Sequence, residues 1–377
     1  MQACKAVLAF VGLIGLVLSS IALAYPSNTR YGYANCTSCH ISPSGGGVLN
    51  LYGRNSASEV LSTWAEPNEE EPGHGFLHEL IPENPPILVG GDVRYMSLSQ
   101  RYPGGVLGKS FLMQADAEVA VPLTPGVVAV VSGGQYAKNL DGDAELAMRR
   151  YYLLMALNEK FSVRAGKFFP AYGLMIEDHT AATRQGLGFN ENHETFNFEA
   201  VAKNQRGEIS VTTIATSSGV NPVTVSDSGI IADQNGIVAR ATAYLGKASQ
   251  AGFSGLYIKT ITPGSAAQRV AFGPFVNIGF TSHVYLMAEI DAQHKDKDPP
   301  KVYSYNLLGC ELFKGFHIGA TYERVISQDR AGAKLQWFPR PHFEITGAYS
   351  RSYSGLGTDA GPVFLGDTAT ILAHYYL

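Results

Sequence analysis

The chain has 377 residues, a net charge of −4 and a charged fraction of only 16%. No basic excess marks a nucleic-acid-binding surface, so a nucleic-acid partner is not expected. Low charge with 41 Gly, 20 Tyr and 18 Phe is compatible with a soluble domain and equally with a membrane β-barrel.

The first predicted element is an export signal. Lys5 is the only charged side chain before Arg30, and residues 6–24 are apolar or small. That run ends in Ala22-Leu23-Ala24, the small-x-small pattern of a signal-peptidase site. Residues 1–24 are therefore expected to be a signal peptide. The competing reading is an uncleaved anchor, because the run is nearly long enough to span a bilayer. Either takes the chain out of the cytoplasm.

Residues 25–58 contain no acidic side chain. They carry Cys36-Thr37-Ser38-Cys39-His40, followed by Gly45-Gly46-Gly47 and Tyr52-Gly53-Arg54. Two thiols at this spacing can each form a thioether to a haem vinyl group, and the histidine after them then lies against the iron. C-x-x-C-H thus reads as a c-type haem attachment site. The expected cofactor is one covalent haem c, bound by Cys36 and Cys39 with His40 as proximal iron ligand. A thioredoxin-like redox pair would need a surrounding βαβ pattern, which is missing. A zinc site would need about four ligands, and there is no second C-x-x-C. Cys310 has no evident partner.

The opposite axial position is open. Candidates are His74, His78, His179, His193, Met96 and Met175. His179 is put forward because it follows Asp178, a carboxylate able to orient an imidazole, within a long predicted loop.

Residues 59–86 reverse the charge. Seven glutamates and a high proline content make them an acidic linker with no core of its own. From residue 87 to 377 the texture changes to short alternating segments. Val284, Leu286, Ala288 and Ile290 alternate with Glu289 and Asp291. Phe316, Ile318, Ala320 and Tyr322 alternate with His317 and Glu323, and Phe343, Ile345 and Tyr349 with Glu344. Phe111, Met113, Ala115, Ala117 and Val119 read as the same kind of face. Successive strand side chains point to opposite faces, so each segment has one apolar and one polar face.

Sixteen strands are predicted, near 87–100, 110–121, 127–137, 149–158, 161–168, 195–203, 207–216 and 236–246, then near 250–260, 268–280, 283–293, 302–312, 315–326, 330–338, 342–352 and 367–377. Tight turns alternate with longer loops at 169–194, 217–235 and 353–366. A soluble sandwich does not require that asymmetry, whereas an outer-membrane barrel has it. The expected fold is all-β: a transmembrane antiparallel β-barrel of about 16 strands with a short N-terminal haem-binding segment. An even strand count places both termini on the short-turn, periplasmic side. The expected inward acids are Asp116, Glu118, Glu199, Glu289, Asp291, Glu323 and Glu344. They offer partners to Arg30 and Arg54 should the haem segment enter the lumen.

The run Gly166-Lys167-Phe168-Phe169-Pro170-Ala171-Tyr172-Gly173 resembles the strand-and-loop motif of phosphate-selective-type porins. The segment from Cys36 to Arg54 is similar to the N-terminal haem segment of bacterial monohaem barrel proteins. Together they resemble a porin–cytochrome, an outer-membrane barrel carrying its own haem. That resemblance implies electron relay between periplasm and cell exterior, with redox proteins or small-molecule carriers as partners and lipid around the barrel. The alternative is a transport porin in which the haem segment is a structural or ligand-sensing plug. A weaker third reading is haem-based catalysis such as peroxide reduction; no nucleophile–base arrangement is visible, so no catalytic residue is named. One haem is much smaller than the ~30 Å hydrocarbon layer, so relay needs partners. Porins of this kind are often trimers, which makes a homotrimer possible.

Overall fold

In a computed structural model of the chain, the described residues are 26–33, 35–65, 86–137, 143–178, 180–189, 193–216, 223–224, 231–262, 264–355 and 362–377. The expected signal peptide, most of the expected linker, and the candidates His74, His78 and His179 lie outside them.

The strands follow in chain order: β1 (Leu88–Tyr102), β2 (Gly105–Thr124), β3 (Val127–Ala137), β4 (Ala144–Ala156), β5 (Phe161–Phe168), β6 (Thr195–Asn204), β7 (Gly207–Thr216), β8 (Val223–Thr224) and β9 (Ile231–Leu245). They continue with β10 (Ser249–Thr262), β11 (Ser265–Gly279), β12 (Val284–Lys295), β13 (Lys301–Phe313), β14 (Phe316–Val325), β15 (Gln328–Arg340), β16 (Phe343–Ser354) and β17 (Val363–Tyr376). The two-residue β8 pairs only with the start of β9, while β7 pairs directly with β9. The remaining strands form one antiparallel ring, closed where β1 meets β17 from Asp92↔Tyr376 to Arg101↔Asp367. The chain is a closed barrel of sixteen strands, as the alternation predicts.

The period of two sets the two faces of the wall. On β12, Tyr285, Met287, Glu289 and Asp291 are buried inside, whereas Ile290 is exposed outside. Leu153, Phe198, Ile209, Phe253, Phe272, Leu308 and Ile371 are likewise exposed on the outside. So large an apolar outer surface suits hydrocarbon rather than water.

Two expectations need correction. The stretch 101–109 is not a loop, because β1 and β2 run on to a tight turn at Pro103-Gly104 with Tyr102 opposite Gly105. The apolar face read from Phe111 to Val119 is also interrupted. The register shifts at Arg94/Tyr95, where Tyr95 faces Leu112 and Arg94 faces Gln114. Met113 is the extra residue of this bulge, and both Met113 and Gln114 are buried. A bulge adds one residue and so inverts the alternation across it.

Candidate functional site

Residues 26–65, apart from residue 34, line the inside of the barrel at its short-turn end. Thr29 accepts from Asn277 Nδ2 at 3.1 Å, and Arg30 Nε donates to the Ser282 carbonyl at 3.0 Å. Lys203 Nζ donates to Thr37 Oγ1 at 2.9 Å on another arc of the wall. Arg164 Nη1 and Nη2 donate to Ser42 and Ser44 Oγ at 3.0 and 2.8 Å. Arg54 donates to the Val89 carbonyl. The Thr63 amide donates to the Phe338 carbonyl at 2.8 Å, and Arg340 donates to the Trp64 carbonyl at 2.9 Å. The segment therefore crosses the lumen as a plug tied to many strands. It runs beyond Ser58 to Ala65, so the start of the expected linker packs as part of it.

Gly315 shows how closely plug and turn meet. Its φ is +79°, and a Cβ there would sit 2.1 Å from the Leu61 carbonyl oxygen. Only glycine satisfies both the turn and the contact.

Arg30 does not use any of the seven expected acids. Its Nη2 meets Glu311 Oε2 at 2.9 Å, with both side chains buried. The seven are largely occupied by the barrel itself. Asp116 pairs with Arg149, Glu199 with Arg164 and Glu323 with Arg330, each at 2.7 Å. Arg164 and Glu199 are direct cross-strand partners, as are Glu323 and Arg330. Opposite charges in register neutralise each other locally.

Within the plug, Cys36–Ser38 forms a 3₁₀ turn that returns the His40 amide to the Cys36 carbonyl at 2.9 Å. His40 then bridges Leu49 in an antiparallel pair. Asn50 locks the motif from below. Its Oδ1 accepts from the Gly53 amide at 2.8 Å, capping the helix Leu51–Ser56, while Nδ2 donates to the Thr37 and Ser38 carbonyls at 3.3 and 3.2 Å. Asn50 precedes an apolar helical start, a signal readable in sequence; Arg164 and Glu311 carry no comparable signal.

His40 Nδ1 lies 3.3 Å from the Gly47 carbonyl. A carbonyl only accepts, so Nδ1 carries the proton and the Nε2 lone pair is left for a ligand. Burial is the main cause that lowers the His40 pKa to about 4, with Arg150 adding to it, so the imidazole is neutral. Cys36 and Cys39 are free thiols, and burial pushes both up to about 12. A redox-exchange pair works instead with a lowered thiol pKa. Among the described residues no other His, Cys, Asp or Glu side chains complete a cluster fit to hold a bare metal ion.

The second wall of the site is the long loop after β5, which folds inward. Tyr172 donates to Asp291 Oδ1 at 2.7 Å, the Leu174 amide to Glu289 Oε2 at 2.8 Å, and the Ala182 amide to Glu323 Oε2 at 2.7 Å. Its apolar residues Leu174, Ile176 and Ala181 pack on Phe275, Tyr285, Met287, Tyr305 and Leu307 of the far wall. Plug and loop meet where Ser44 Oγ donates to the Phe169 carbonyl at 3.3 Å. Between them lies a cavity lined by Cys36, Cys39, His40, Arg150, Met175 and Arg184 among others.

No protein-family model matches the chain, and no curated protein matches its sequence. Solved structures do match. OprB of Pseudomonas putida at high pH is 9% identical with a TM-score of 0.57, over 85% of this chain and 99% of that one. The anion-selective porin of Comamonas acidovorans is 11% identical with a TM-score of 0.52, over 77% of this chain and 99% of that one. In-vitro-folded OmpT of Vibrio cholerae, in its trimer form, is 12% identical with a TM-score of 0.50, over 77% and 99%. The fold is a porin-type barrel.

The residues present fit a c-type haem. Both thiols and a neutral imidazole with a free Nε2 face one cavity, and the wall of that cavity offers arginine for the carboxylates that haem carries. Cys36, Cys39 and His40 would hold it. His193 and Met96 do not line the cavity, whereas Met175 does.

Proposed function

We propose that this chain is an outer-membrane channel of porin type whose N-terminal segment is a lumenal plug bearing one covalent haem c. The observation that carries this reading is the placement of Cys36, Cys39 and His40 on a cavity inside the barrel, between plug and inward loop. The apolar outer wall supports a bilayer location, and both ends of the barrel lie at the short-turn side, which in such barrels is periplasmic. A homotrimer is proposed from the likeness to the OmpT trimer form.

In the leading reading the plug closes a transport pore and responds to its haem as a structural or ligand-sensing element. The many wall contacts of residues 26–65 support it, because they fix the plug where solute would pass. When bound, haem supplies one-electron redox chemistry and an axial site. The electron-relay reading rests on the same motif: the chain would then take electrons from a donor on one side and deliver them to an acceptor on the other. Redox proteins or small-molecule carriers would serve as those partners, since one haem does not span the ~30 Å layer.

Two measurements on the full chain separate the readings. Planar-bilayer conductance of the wild type should be low and should rise when Arg30→Ala loosens the plug. In liposomes loaded with an electron acceptor, relay predicts uptake faster than in a Cys36→Ala, Cys39→Ala control; equal uptake leaves only the plug reading. A wild-type conductance as large as that of an open sixteen-stranded pore contradicts the plug.

A further inference from the structure

We infer that Met175 is the second axial ligand of the haem held by Cys36, Cys39 and His40, an inference that rests on the haem reading above. Met175 lines the same cavity as those residues and belongs to the inward loop, whereas they belong to the plug.

The backbone on either side of Met175 is fixed. The Gly173 amide donates to Ser254 Oγ at 2.9 Å, and its carbonyl accepts from Arg240 Nε at 2.8 Å. The Leu174 amide donates to Glu289 Oε2 at 2.8 Å. Leu174 and Ile176 are buried at 1% and 4% exposure in the apolar cluster of the far wall. Met175 between them has φ +54°, in the left-handed region that side chains rarely adopt. A reversal of this kind persists only where its surroundings impose it. Here it leaves Met175 partly exposed at the cavity, while an apolar residue of its type would be expected to follow its neighbours into the cluster.

The same loop is tied to the haem motif by intermediate residues. Arg240, bonded to Gly173, lies 3.7 Å from Glu208, and both line the cavity beside Cys36. Arg164 joins the plug at Ser42 and Ser44 to the root of the loop at Phe169. One buried arginine, Arg164 on β5, thus joins plug and loop root, and a second, Arg240 on β9, holds the loop at Gly173.

The choice of ligand follows from the lining. A haem iron with a His on one side takes a His or Met on the other in electron-transfer proteins. Besides His40, the lining residues with a suitable nitrogen or thioether donor are His374 and Met175. His374 is already engaged, by Glu344 at 2.9 Å through Nδ1 and by Asp92 at 3.2 Å through Nε2. Met175 has the soft sulfur and no competing bond among the described residues. The expected distal ligand His179 is replaced in this inference by a residue four positions earlier on the same loop.

The test uses the full, haem-loaded chain and does not depend on activity. Wild-type ferric protein should be low-spin and show the long-wavelength thioether-to-iron charge-transfer band. Met175→Leu should lose that band and become high-spin. Met175→His should stay low-spin without the band, at a lower midpoint potential. A wild type with covalent haem but no thioether band, or a Met175→Leu spectrum identical to wild type, overturns the ligand while leaving the haem reading intact. A wild type with no covalent haem overturns both. Because the wild-type band alone decides the first point, a variant that fails to fold does not spoil the test.

Discussion

Arg164 of the barrel wall donates to Ser42 Oγ at 3.0 Å, and Ser42 lies just beyond His40. The same guanidinium meets Glu199 at 2.7 Å and lies over the ring of Phe168, 3.8 Å from its centroid. One buried cation thus joins the wall, the plug just after the C-x-x-C-H run and the start of the inward loop.

Arg164→Ala should therefore be costly. It leaves Glu199, which is fully buried, without its charge partner, and breaking such a pair typically costs about 3–5 kcal/mol. Thermal unfolding in detergent should fall, and Arg164→Ala with Glu199→Ala should recover part of the loss. A double variant no better than the single would mean that the ion pair is not the source.

Gly53→Ala tests the fit of the haem motif to its helix. A Cβ at Gly53 would lie 2.3 Å from the Cys39 carbonyl oxygen, so the backbone of the motif has to shift. The haem-to-protein ratio of purified Gly53→Ala should fall while the barrel still forms. Equal loading would show that the motif does not pack as described.

Tyr172→Phe tests the inward loop. It removes the hydrogen bond to Asp291 and leaves a buried carboxylate oxygen unsatisfied, a loss of about 1–3 kcal/mol. Local release of the loop should raise single-channel conductance when combined with Arg30→Ala. No change relative to Arg30→Ala alone would mean that the loop is held by its apolar packing only.

Arg184 lies beside the rings of Phe169 and Phe189, at 5.3 and 5.8 Å from their centroids. It lines the cavity, and burial lowers its pKa to about 10, so it remains charged at neutral pH. The carboxylates of the proposed haem would be its partners there. The Arg184 charge would favour the reduced iron, so Arg184→Gln should leave covalent attachment intact and lower the midpoint potential, by less than Met175→His does; a potential equal to wild type would place the carboxylates elsewhere.

The barrel was legible in sequence because its signal is local. Each strand alternates, and tight turns such as the one at Gly315 recur all along one side, while the long connections 169–194 and 217–230 fall on the other. The bulge at Met113 was hidden, since an inserted residue that is itself apolar preserves an apparent alternation. The inward face of β13 was hidden for another reason. Tyr303, Tyr305 and Leu307 are apolar or aromatic yet face inward, because the folded-in loop turns that part of the lumen into a core. Cys36, Cys39 and His40 were singled out by spacing, as the basis of the proposed haem site. Their surroundings were not: the Arg30–Glu311 and Arg164–Ser42 contacts join distant parts of the chain, and no local pattern encodes them.

The central claim is that the lumenal plug carries covalent haem. It is tested most directly by the absorption spectrum of the purified, fully denatured polypeptide beside a Cys36→Ala, Cys39→Ala control. The account predicts a c-type haem spectrum that stays with the wild-type chain, one haem per polypeptide, and is absent from the control. A denatured wild-type chain without haem absorption would contradict it and leave a plugged porin-type barrel without a cofactor.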